Sequence, residues 1–156
     1  MIHQKIFEKN WGYSQEHINN MVKILKDNAM HLIDVRIADE YKDKNESTDL
    51  IIQVVGGDVA VRTRKTSFRD FTIRSKSYYG QKTELDKLRE GFAKWYLYAW
   101  ESKDGYDYVL VDMDVVRKCG ILDIKRKEIP NIDGTKFIAI NLSELADNNC
   151  IVSTNM

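Results

Sequence analysis

The stretch from Asp49 to Asp86 constrains this chain more than any other, because β-type runs and a glycine pair lead directly into a helix start. Asp49 to Val55 (DLIIQVV) and Asp58 to Lys65 (DVAVRTRK) flank Gly56-Gly57, and glycine accepts the positive φ of a hairpin turn at little steric cost. A third run, Asp70 to Ser75 (DFTIRS), follows a short polar turn and is expected to close a β-meander. Thr83-Glu-Leu-Asp86 then has the form of a capping box, with Asp86 reaching back to the cap. Leu85, Leu88 and Phe92 give that helix its apolar side, and Gly91 is placed to end it.

The rest of the chain extends this pattern. Ser14 to Asn28 reads as a helix capped by Ser14, with Ile18, Met21, Val22 and Leu25 on one face. His31 to Ala38 reads as a strand and Tyr41 to Thr48 as a polar loop. Ala93 to Glu101 reads as an aromatic strand, Ser102 to Gly105 as a turn, and Tyr106 to Val111 as the antiparallel partner. Asp112 is placed to cap a short helix through Cys119, Phe137 to Leu142 reads as a late strand, and Ser143 to Asp147 as a last helical turn. The order α-β-β-β-β-α-β-β predicts an α/β protein with a mixed sheet and helices packed over it. A single proline, Pro130, and the lack of a Gly/Ser-rich linker predict one domain over residues 1–156, with its core at about 14–142 and a C-terminal tail at 143–156.

Composition excludes several classes. A chain of 156 residues that is 43% hydrophobic and 31% charged is too apolar for disorder and long enough to bury a continuous core. Lys plus Arg and Asp plus Glu both number 24, so net charge designates no polyanionic partner and any nucleic-acid footprint must come from local clustering. No apolar run approaches the roughly 18 residues of a membrane span, and Met1-Ile-His-Gln-Lys lacks a signal-peptide core, so a cytoplasmic protein without membrane association is expected. Cys119 and Cys150 lie far apart and show no metal or redox spacing, which reads as buried or idle thiols. His3, His17 and His31 show no ligand spacing and no Ser or Cys partner, which reads as core or surface roles.

Charge does cluster between Arg62 and Lys76. There Arg62, Arg64, Lys65, Arg69, Arg74 and Lys76 stand against Asp70 alone, a local excess of five, and Tyr78, Tyr79 and Lys82 follow. A basic segment with aromatics beside it suits a phosphate backbone, with rings to stack on unpaired bases. The competing reading is an exposed sheet face charged for solubility and edge protection. Asp34 to Asp49 is acidic and reads either as a solvated loop or as a metal site recruiting Asp34 or Asp49. The run Trp95, Tyr96, Tyr98 and Trp100 reads as core on both strand faces, or as a surface for a partner or a homodimer.

The element order from about residue 14 to 111, with Asp49 opening a strand before Gly56-Gly57, resembles the restriction-endonuclease-like α-β-β-β-α-β core of the PD-(D/E)XK nuclease superfamily. That resemblance implies an Asp on one strand and a Glu-x-Lys on the next, holding Mg²⁺ or Mn²⁺ and orienting an attacking water. Asp49 takes the first place, and the Glu-x-Lys positions fall on Arg62-Thr63-Arg64. Arg64 can replace the lysine as a phosphate contact, whereas a guanidinium at Arg62 binds no cation. Glu16 and Asp34 are the carboxylates that could join Asp49 on the metal. A second resemblance, carried by Arg69-Asp-Phe-Thr-Ile-Arg74, Thr83-Glu-Leu-Asp-Lys87, Gly91 and Trp95-Tyr-Leu-Tyr98, is to small phage-encoded proteins and implies a phage setting. The expectations are therefore a metal-dependent nuclease, a silent nucleic-acid binder using the same basic residues, or a phage protein that binds a host protein such as a defence component.

Overall fold

Alternation along the strands sorts the apolar residues onto two faces of one large sheet, and each face has its own cover. The computed structural model describes residues 2–28, 35–37, 50–52, 57–65, 67–77 and 79–156, with the backbone course alone for residues 2–11, 13, 14, 28, 35–37 and 50–52. In chain order the elements are α1 (Ile2–Asn28), β1 (Val35–Ile37), β2 (Leu50–Ile52), β3 (Gly57–Arg64), β4 (Asp70–Lys76), α2 (Glu84–Arg89), β5 (Trp95–Ser102) and β6 (Gly105–Asp112). They continue with α3 (Met113–Lys118), a 3₁₀ turn (Ile121–Asp123), β7 (Ile129–Pro130), β8 (Lys136–Asn141), α4 (Leu142–Asp147) and β9 (Ile151–Thr154).

The large sheet has six strands in the order β1-β2-β3-β5-β6-β9, and a second sheet has three in the order β4-β8-β7. On one face of the large sheet, Val59, Leu97, Ala99 and Tyr108 meet Ile18, Met21 and Leu25 of α1. On the other face, Ala60, Tyr96, Tyr98, Trp100, Val109 and Val111 meet Phe71 and Ile73 of β4, Leu85 and Leu88 of α2, and Ile138 and Ile140 of β8. The α/β class expected from the sequence is the one observed: a mixed sheet with a helix on one side, and a smaller sheet and short helices on the other. Among the described residues, no helix is long and apolar enough to cross a membrane.

The helix starts are built as the sequence reads. Thr83 accepts from the Asp86 N–H while Asp86 accepts from the Thr83 N–H, and those bonds hold the Asp86 carboxyl below the usual carboxylate range. Asp112 caps α3 by accepting from the N–H groups of Asp114 and Val115.

Four expectations need correction. Helix α1 begins at Ile2, so Ser14 lies inside it and not at a cap; Gly12 weakens a helix by only about 1 kcal/mol and the stretch contains no proline to stop it. Gly57 is already in the ladder opposite Ile52, with residues 53–56 outside the described residues. Its missing side chain matters for close approach, since a Cβ there would meet Lys94 Cδ at 2.9 Å.

The third correction concerns β4, which does not close a meander. The edge of β3 is taken by β5, parallel to it from Val59↔Trp95 to Arg64↔Trp100, and β4 pairs antiparallel with β8. Burial explains this: Phe71, Thr72 and Ile73 are all buried, so β4 is covered on both faces, unlike a meander strand with one wet face. The fourth concerns the expected tail at 143–156: its helical turn is there as α4, but the segment also adds the edge strand β9, paired with β6, and buries Leu145 and Cys150.

Candidate nucleic-acid interface

Period-two alternation on β3 puts Arg62 and Arg64 on the face that looks toward β4 and α2, while Val59 and Val61 face α1. Arg62 donates from Nη2 to Glu84 Oε2 at 2.6 Å, and Glu84 is the first residue of α2. The same Oε2 accepts from the Arg74 backbone N–H at 2.8 Å, and Oε1 accepts from the Tyr96 hydroxyl. Glu84 thus joins β3, β4 and β5 at one carboxylate, whose side chain is 10% exposed.

Arg64 lies deeper along the same face. Its Nη1 donates to Thr72 Oγ1 at 3.0 Å and Tyr98 Oη at 3.3 Å, with Asp70 Oδ1 at 3.5 Å. Thr72 Oγ1 and Tyr98 Oη are themselves 2.6 Å apart, which completes a polar network between the two sheets. Arg69 donates to Asp107 Oδ2 at 2.5 Å, and its guanidinium carbon lies 5.5 Å from the centre of the Trp100 ring.

The six basic residues of the segment therefore divide. Arg62, Arg64 and Arg69 form ion pairs with Glu84, Asp70 and Asp107, so the fold reduces the local excess of five positive charges that the sequence alone shows. Lys65, Arg74 and Lys76 are exposed. Two exposed aromatic rings bracket β4: Phe68 before it, 73% exposed, and Tyr79 after it, 77% exposed. The Glu128 carboxyl is held below its ordinary range by hydrogen bonds from Lys136 and then Ser75, with the charge of Lys76 adding to the effect.

The metal expectation finds little among the described residues. No group of three or more His, Cys, Asp and Glu side chains is placed there to hold an ion. Glu16 lies on an exposed position of α1, and Asp34 and Asp49 lie outside the described residues. The Glu84 carboxylate beside Arg62 already accepts three hydrogen bonds. A carboxylate so engaged has few lone pairs left for a cation.

Three groupings were not legible in the sequence. Glu84 reads there only as a helix-start residue. His17 meets Tyr106 through Nδ1 and lies 3.0 Å from Glu101 Oε1 through Nε2, tying α1 to the β5–β6 hairpin. Cys119 and Cys150, far apart in sequence, bring their Sγ atoms to 3.9 Å, a proximity that their sequence spacing does not show. Most of the aromatic run is core: β5 is an interior strand in which Tyr96, Tyr98 and Trp100 are fully buried or nearly so, while Trp95 is half-buried. Comparison with protein-family models, curated proteins and solved structures gives no significant match for this chain.

Proposed function

We propose that this protein is a nuclease-like domain of phage type that engages nucleic acid through the exposed basic and aromatic residues around β4, with binding and not cleavage as its activity. The observation that carries this is the course of the large sheet. With β4 assigned to the second sheet, α1, β1, β2, β3, α2 and β5 run in the order α-β-β-β-α-β, the order implied by the resemblance to the PD-(D/E)XK superfamily. The ion pair at Arg62 favours binding over cleavage, since the motif's second carboxylate position is filled by a cation that Glu84 neutralises. Lys65, Arg74 and Lys76 supply the charge for a phosphate backbone, and Phe68 and Tyr79 supply ring faces for unpaired bases.

Fluorescence titration of single-stranded and duplex DNA and RNA across a salt series tests this. Single strands are expected to bind most tightly. Replacing Arg74 and Lys76 by alanine is expected to reduce the salt slope by about 1.4, from about 0.7 per phosphate contact, and Tyr79→Ala to weaken binding about 5- to 160-fold. Binding that ignores salt and these substitutions would refute the reading and point to a host protein partner. Mg²⁺- or Mn²⁺-dependent cutting abolished by Asp49→Ala would replace it with a nuclease that assembles its metal from Asp49, Asp34 and Glu16.

A further inference from the structure

Cys119 is the residue that ends α3, and its side chain is exposed. Cys150 is buried immediately before β9. Their Sγ atoms are 3.9 Å apart, near van der Waals contact, and both thiols are reduced. We propose that Cys119 and Cys150 form a reversible intramolecular disulfide, making this corner of the fold a thiol-oxidation site.

Backbone hydrogen bonds fix both residues in place beside each other. The Cys150 N–H donates to Leu145 O at 2.8 Å, and its carbonyl accepts from Asp112 N at 2.8 Å, so Cys150 is held from both sides. The Cys119 N–H donates to Val115 O at 3.0 Å. A disulfide of about 2.0 Å requires the sulfurs to approach by about 2 Å. Cys119 is the exposed partner, so its side chain is the one free to turn toward Cys150. The move gives up only a weak thiol contact to Val116 O at 3.3 Å.

A low-molecular-weight disulfide of the glutathione kind serves as oxidant. The Cys119 thiolate attacks one of its sulfurs, the small disulfide bond breaks, and the departing thiolate takes up a proton. Cys119 is then in a mixed disulfide. Cys150 loses its proton and attacks Cys119 Sγ, expelling the second small thiolate, which is also protonated. The protein's thiols give up two electrons and two protons, and the small disulfide becomes two thiols. Exposure sets the order, since a small disulfide can reach Cys119 and not Cys150. Burial first, and then the neighbouring Cys119, push the Cys150 thiol up to about 12, in keeping with its reacting second. The cross-link ties the end of α3 to the edge strand β9 and encloses β7, β8 and α4.

The test is equilibration of the full chain in glutathione buffers, followed by acid quench, thiol counting and mass measurement. The wild type is expected to lose both thiols, to lose a pair of hydrogens in mass, to show the Cys119 and Cys150 peptides linked, and to regain both thiols with a strong dithiol. Cys150→Ser is expected to retain glutathione on Cys119. Cys119→Ser is expected to stay unmodified, and it keeps the test decisive if Cys150→Ser does not fold. A wild type that keeps both thiols, stops at a mixed disulfide, or joins two chains through Cys119 would overturn the proposal.

Discussion

Replacing Glu84 by alanine removes a carboxylate that joins β3, β4 and β5. The Arg62 pair at 2.6 Å is a charge-assisted bond of about 1.5–3 kcal/mol. Arg62 is 29% exposed in its side chain, so water recovers part of that loss and the lower half of the range applies. The Tyr96 hydroxyl and the Arg74 N–H each lose an acceptor, and each contributes about 0.5–1.5 kcal/mol. The sum is about 3 kcal/mol. With a urea m-value of about 2 kcal/mol/M, the unfolding midpoint should fall by about 1.5 M while the slope holds. Glu84→Gln keeps the shape and an acceptor and should lose about half as much. A double-mutant cycle with Arg62→Met isolates the pair and should return a coupling of about 1–2 kcal/mol. A midpoint shift for Glu84→Ala worth less than about 1 kcal/mol, or a coupling near zero, would show that the carboxylate is solvated and not a clasp between layers.

Asp112→Ala should destabilise the fold by about 1 kcal/mol by orphaning the Asp114 and Val115 N–H groups, while Asp112→Ser should retain most of the stability; thermal melts of the two variants check this. Asp86 has its folded pKa lowered from 3.8, chiefly by the Thr83 backbone N–H, so its contribution is present above the unfolded value and is lost as pH falls through the folded one. Chemical denaturation from pH 6 down to about pH 2 should therefore show a shallower acid loss for Asp86→Asn than for wild type, and equal slopes would refute the assignment.

Much of this architecture is legible in the residues themselves because the signals are local. The capping box at Thr83 and Asp86, the cap at Asp112 and the α1 stripe of Ile18, Met21 and Leu25 each depend on contacts within a turn or two of helix. The division of β3 into an arginine face and a valine face follows from strand period alone. The partners of those faces do not. Nothing within a few residues of β4 says that it pairs with β8, some 65 positions later, and leaves the edge of β3 to β5. The basic segment changed meaning for the same reason. Arg62, Arg64 and Arg69 read as an exposed cationic run until the fold brings Glu84 and Asp107 to them, alongside the nearby Asp70. Cys119 and Cys150 meet only because α3 and β9 both pack against β6. Local pattern determined the elements and the faces they present; long-range pairing, set by which surfaces could be buried together, decided which charges are neutralised and which thiols touch.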